Sequence, residues 1–67
     1  MKILFVSNNH AQSIITAYLG FDVDCYETHL YNHGGGYTEK WSVSSTFEQA
    51  VYMHRQLCEK CAIKVNM

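Results

Sequence analysis

The sequence predicts an α+β domain of ferredoxin-like βαββαβ order, in which two helices cover one face of a four-stranded antiparallel sheet. Three observations carry that prediction. A short apolar run, Lys2 to Val6, opens the chain and ends in turn-formers. Two segments of alternating polarity flank the glycine-rich stretch Asn32 to Gly36. Two further stretches, residues 10–19 and Thr46 to Cys61, carry apolar residues at spacings of three and four. That order in a chain this short is the split βαβ arrangement. If residues 13–19 are extended instead, the same pattern gives a β-meander with one long helix packed across it.

Lys2 to Val6 is nearly continuous in its apolar character, which suits a strand buried on both faces. Ser7, Asn8 and Asn9 offer side-chain oxygens to cap a helix of residues 10–19, with Ala11, Ile14, Ile15, Tyr18 and Leu19 on one stripe and Gly20 at its C-terminal end. Ile14, Ile15, Thr16 and Tyr18 also favour strands, because β-branched and aromatic side chains lose rotamer freedom in helices. From Phe21 the period changes to two. Phe21, Val23 and Cys25 point one way and Asp22, Asp24 and Tyr26 the other, in a strand reaching Tyr31. Gly34, Gly35 and Gly36 supply a hairpin turn rather than a phosphate cradle, since alternation and not a helix follows them. In the next strand Trp41 and Val43 share one face against Lys40, Ser42 and Ser44. Ser45 with Glu48, or Thr46 with Gln49, has capping-box spacing for a helix running to Glu59 or Lys60. Phe47, Ala50, Val51, His54, Leu57, Cys58 and Cys61 form its apolar stripe. Ala62 to Val65 reads as a short last strand.

These elements make a single domain, residues 1–67. A chain of that length buries only about 60% of its unfolded surface, and its core supplies about 3–5 kcal/mol. The 48% hydrophobic content, with five Tyr, three Phe and one Trp, argues for a packed core and against disorder. A net charge of −1 with five scattered Lys and Arg excludes a duplex DNA partner, which needs clustered cations. The apolar opening breaks at Ser7 to His10, too short for a signal or membrane segment. Three cysteines are too few for a disulfide scaffold and fit a reducing, cytoplasmic setting.

The chemistry-bearing residues gather on the second helical stretch. His54 and Cys58 lie one turn apart, and Cys58-x-x-Cys61 has a zinc-ligand spacing. All three on one helix reach poorly, since His54 and Cys61 are separated by roughly 10 Å along the axis. A redox Cys-x-x-Cys is disfavoured at a helix C-terminus, where the dipole opposes a thiolate. Asp22 and Asp24 could pair as carboxylates beside Tyr26, but so small a chain has little room for a catalytic cleft, and no enzyme is expected. The predicted topology resembles that of RNA-recognition modules. Phe5, Tyr37 and Trp41 are available for base stacking, although Tyr37 to Trp41 lacks the glycine and basic residues of the stacking motif.

The leading expectation is a small, non-enzymatic protein-binding module, an inhibitor or adaptor of the type carried by phages and mobile elements, docking on a larger protein. Its expected contact residues are Asp22, Asp24, Tyr26, Thr28 and Lys40 on the open sheet face, with a homodimer through the edge of the second strand as a further option. The alternatives are a zinc-stabilised module using His54, Cys58 and Cys61, and a single-strand RNA-binding domain. No cofactor is expected beyond that zinc.

Overall fold

In the computed structural model, which describes residues 1–20, 22–35 and 37–67 with Tyr37 as backbone only, four strands run in sequence order into one antiparallel sheet. They are β1 (Lys2–Asn8), β2 (Gln12–Tyr18), β3 (Tyr26–Asn32) and β4 (Tyr37–Ser44), followed by one helix, α1 (Phe47–Lys60). The α+β class and the four-stranded antiparallel sheet are as predicted. The ferredoxin-like arrangement is not: there is one helix where two were expected, and the architecture is the β-meander with one helix across it.

The difference lies in residues 10–19, which form β2 and not a helix. Ile14 and Ile15 sit on opposite faces of a central strand, and both faces are largely buried. A strand that is apolar on both sides yields spacings of three and four by accident, and the β-branched Ile14-Ile15-Thr16 run then decides the outcome. The turn before β2 uses the chemistry expected of a helix cap. Asn9 Oδ1 accepts hydrogen bonds from the backbone N–H of Ala11 (2.9 Å) and Gln12 (2.8 Å), holding a hairpin turn in place of a first helical turn.

The strand expected from Phe21 begins only at Tyr26, and Asp22 to Cys25 belong to the β2–β3 connection. Phe21 itself lies outside the described residues. The predicted hairpin at Asn32 to Gly36 joins β3 to β4, with Asn32 opposite Tyr37 and Gly34 and Gly35 in the turn; Gly36 lies outside the described residues. The expected grouping of Trp41 with Val43 fails because a β-bulge interrupts the register, Thr28 facing Ser42 but His29 facing Lys40. The extra residue restarts the alternation. Trp41 therefore packs on the core, while Val43 is 57% exposed on the other face.

Helix α1 begins as predicted. Thr46 Oγ1 accepts from Gln49 N–H (3.1 Å), and Gln49 Oε1 reaches back to Ser45 N–H (3.3 Å). Ala50, His54, Leu57 and Cys58 are buried against the sheet. With Ile14 and Ile63 they enclose the core, and Leu30, Trp41, Cys61 and Val65 pack around it. The last strand expected at Ala62 to Val65 does not form. Ile63 N–H donates to Cys58 O (2.8 Å) and Ala62 N–H to Glu59 O (3.2 Å), the paired bonds of a Schellman cap, with Ala62 at φ 54°. The tail then crosses to β1, where Asn66 N–H donates to Ser7 Oγ (2.8 Å) and Asn66 Nδ2 to Val6 O (3.1 Å).

Candidate functional site

A single helix on a four-stranded sheet leaves one sheet face uncovered, and register decides which side chains it presents. Thr16 and Thr28 face the helix, joined by a 2.8 Å hydroxyl contact under His54. Their neighbours Ile15, Ala17, Glu27 and His29 therefore face away. Met1, Ile3, Ile15, Ala17 and Leu19 line an apolar depression of 210 Å³ on that face, with Glu27, His29 and Thr38 along its side. Ile3 is 54% exposed there. The charged strip is internally matched: Glu27 Oε1 lies 2.9 Å from His29 Nε2 and Glu27 Oε2 lies 3.2 Å from Lys40 Nζ. The His29 hydrogen bond, and after it the Lys40 ammonium, hold the Glu27 carboxyl below its ordinary range.

At one end of the sheet a second, more open cavity of 310 Å³ is lined by Lys2, Leu4, Tyr18, Asp24, Tyr26 and Phe47. Antiparallel register sets Tyr18 opposite Tyr26, with ring centroids 5.0 Å apart and planes inclined at 54°. Phe47, the first residue of α1, closes over Tyr26 at 6.3 Å and 68°. Tyr18 Oη donates to Asp24 Oδ1 (2.8 Å), and this hydrogen bond raises the Tyr18 phenol above its ordinary value. Gly20 makes the arrangement possible. A Cβ there would collide with the Tyr18 ring and hydroxyl and lie 2.8 Å from Val23 O.

The expected contact residues do not share one surface. Lys40 is on the open face. Asp22 and Asp24 are exposed in the β2–β3 connection and do not alternate along a strand. Tyr26 is half-buried on the helix side, and Thr28 is 1% exposed beneath His54. Of the five, only Asp24 and Tyr26 come together, in the aromatic cavity. The strand of Tyr26, expected at an edge, is interior; the edges are β1 and β4.

His54, Cys58 and Cys61 do not assemble a metal site, and among the described residues no group of three or more His, Cys, Asp or Glu is placed to hold an ion. Both His54 nitrogens are engaged, Nε2 with Ser7 Oγ and Nδ1 with Thr16 Oγ1, each at 2.8 Å. Burial lowers the His54 pKa and raises that of the Cys58 thiol, keeping both neutral. The stacking residues proposed for RNA are also covered: Phe5 packs on Phe47 and His54, and Trp41 on the core. The side chain of Tyr37 lies outside the described residues.

The residues that sequence reasoning missed are Ile3, Ile15 and Val43 on the open face and Tyr18 and Phe47 in the cavity. Assigning Ile14 to Thr16 to a strand would have placed Tyr18 opposite Tyr26. Comparison with known proteins found no matching family model, curated protein or solved structure.

Proposed function

We propose that the chain is a non-enzymatic protein-binding module, an inhibitor or adaptor that docks on a larger protein through the sheet face opposite the helix. The observation carrying this reading is the apolar depression lined by half-exposed Ile3 with Ile15, Ala17 and Leu19, bordered by the Glu27–His29–Lys40 strip, with exposed Val43 on the far side of Glu27. Contiguous apolar surface rimmed by polar groups is characteristic of interaction sites, and it suits a partner with an apolar ridge. The expected contact set accordingly becomes Ile3, Ile15, Val43 and Lys40. A cytoplasmic setting belongs to the same proposal and is supported by three free cysteines. Among the described residues, no helix is long and apolar enough to cross a membrane.

The test is affinity capture from the source organism with the wild-type chain and with the Ile3→Asp and Val43→Glu variants, checked for fold by circular dichroism. Both positions are more than half exposed, so the variants should fold. A partner retained by wild type and lost from both variants is the expected result. Retention by both overturns the proposal. Sedimentation equilibrium of the same proteins tells a separate partner from a second copy, which would appear as a concentration-dependent mass abolished by Val43→Glu.

A further inference from the structure

We propose that the aromatic cavity at the β2–β3 end binds a soft organic cation, a guanidinium or a methylated ammonium. Tyr18, Tyr26 and Phe47 all line the cavity, inclined to one another at 54° and 68° and not stacked face to face, so ring surface stays open to a ligand, most of all at Phe47, which is 48% exposed. Such faces attract cations, and weakly hydrated ones most readily. Asp24 supplies the charge. One of its oxygens is fixed by the Tyr18 hydroxyl, which leaves the other to a ligand. Donation of that phenol proton to a carboxylate also enriches the Tyr18 ring in electron density. Both ion pairs among the described residues involve Glu27 on the open face, and no Lys or Arg nitrogen there lies within 4.0 Å of the Asp24 carboxylate. The volume of 310 Å³ sits at the low end of the roughly 300–1,000 Å³ of small-ligand sites, room for one cationic head group. Lys2 also lines the cavity and opposes a cation. Being exposed, it is screened by solvent and weakens the site without closing it.

The cation could come from a free small molecule or from an Arg or methylated Lys side chain of a protein, and the same titration separates them. Tyr and Phe ring signals of the full chain are followed by NMR as tetramethylammonium, N-acetyl-arginine amide, its neutral citrulline counterpart and an Arg-centred heptapeptide are added. Saturable shifts at Tyr18, Tyr26 and Phe47 are expected with the three cations and not with citrulline. Asp24→Asn should weaken binding about threefold to thirtyfold and Lys2→Gln should tighten it. Phe47→Leu keeps the apolar volume, removes a ring that is 48% exposed and should also weaken binding. Tighter binding of the heptapeptide than of N-acetyl-arginine amide identifies a protein source, and equal binding a free cation. Equal response to citrulline, indifference to Asp24→Asn, or the absence of saturable shifts at Tyr18, Tyr26 and Phe47 overturns the proposal. It stands apart from docking on the open face, since Ile3→Asp and Val43→Glu leave this cavity untouched.

Discussion

His54 sits with 0% exposure at the centre of a polar chain that crosses the core, Ser7 to His54 to Thr16 to Thr28, each contact at 2.8 Å. A neutral imidazole has one donor and one acceptor nitrogen, and the flanking hydroxyls can serve either tautomer, so the network is complete while the ring is uncharged. An imidazolium would donate from both nitrogens and would have to be charged in a site closed to water. Burial, with a smaller contribution from the Arg55 charge, accordingly lowers its pKa below the ordinary value. In the unfolded chain the ring protonates near its ordinary value of about 6.5. Below that pH the unfolded state binds the extra proton, so stability falls as pH falls, by up to about 1.4 kcal/mol per pH unit from this group. Above about pH 7 the contribution is fully present. Thermal unfolding from pH 8 to pH 5 should show the decline, and an NMR titration should find the imidazole of the folded chain titrating below its ordinary value. His54→Gln can complement both hydroxyls without titrating and should flatten the slope. An unchanged slope in that variant would assign the decline to other groups.

At the scale of the element, the end of α1 holds a residue in an unsuited conformation. Ala62 occupies the left-handed position of the Schellman cap at φ 54°, where its Cβ crowds the backbone. That conformation costs an alanine about 1–2 kcal/mol, and a glycine would return about 0.5–1 kcal/mol through the entropy of its unfolded chain. Ala62→Gly should therefore stabilise the protein by about 0.5–1 kcal/mol, a melting temperature higher by about 3–6 °C. No change or a decrease would mean that the cap is not formed as described. The absence of glycine at 62 also explains why this segment reads as a strand. Ile63 and Val65 alternate with Lys64, and the usual C-terminal signal is missing. The N-terminus of the same helix was legible because Thr46 and Gln49 stand at the spacing their hydrogen bonds require. The sheet lost legibility wherever both faces of a strand are buried, as in β2, or a bulge resets the alternation, as at Trp41. Site residues chosen by alternation were misplaced in the same way: Thr28 was expected at the surface because its face was taken from Asp22 and Asp24, which precede β3, and Val43 was grouped with Trp41 across the bulge.

Across the whole molecule, the fold has to join its first strand to its last segment. Helix α1 lies over β2, β3 and β4. β1 is at the sheet edge and is held to the helical layer by Phe5 on Phe47 and His54, by Ser7 on His54 and by the returning tail. The tail adds no strand, yet it places Val65 against the core and sends the Asn66 N–H to Ser7 Oγ, the same hydroxyl that meets His54. Ser7 is thus shared by the first strand, the helix and the C-terminus. Removing Val65, Asn66 and Met67 takes away a partly buried side chain and a bond to that hydroxyl, and should cost about 2–3 kcal/mol. Against a core worth about 3–5 kcal/mol, this is a large share of the total. Asn66→Ala keeps the backbone N–H and loses only the exposed contact with Val6 O, so about 0.5–1 kcal/mol is expected for it. Urea unfolding of the three proteins at pH 7 distinguishes a structural strap from a passive end. If truncation costs no more than Asn66→Ala, then β1 is secured by its ladder with β2 and by Phe5 alone, and the shared Ser7 hydroxyl does not couple the two ends of the chain.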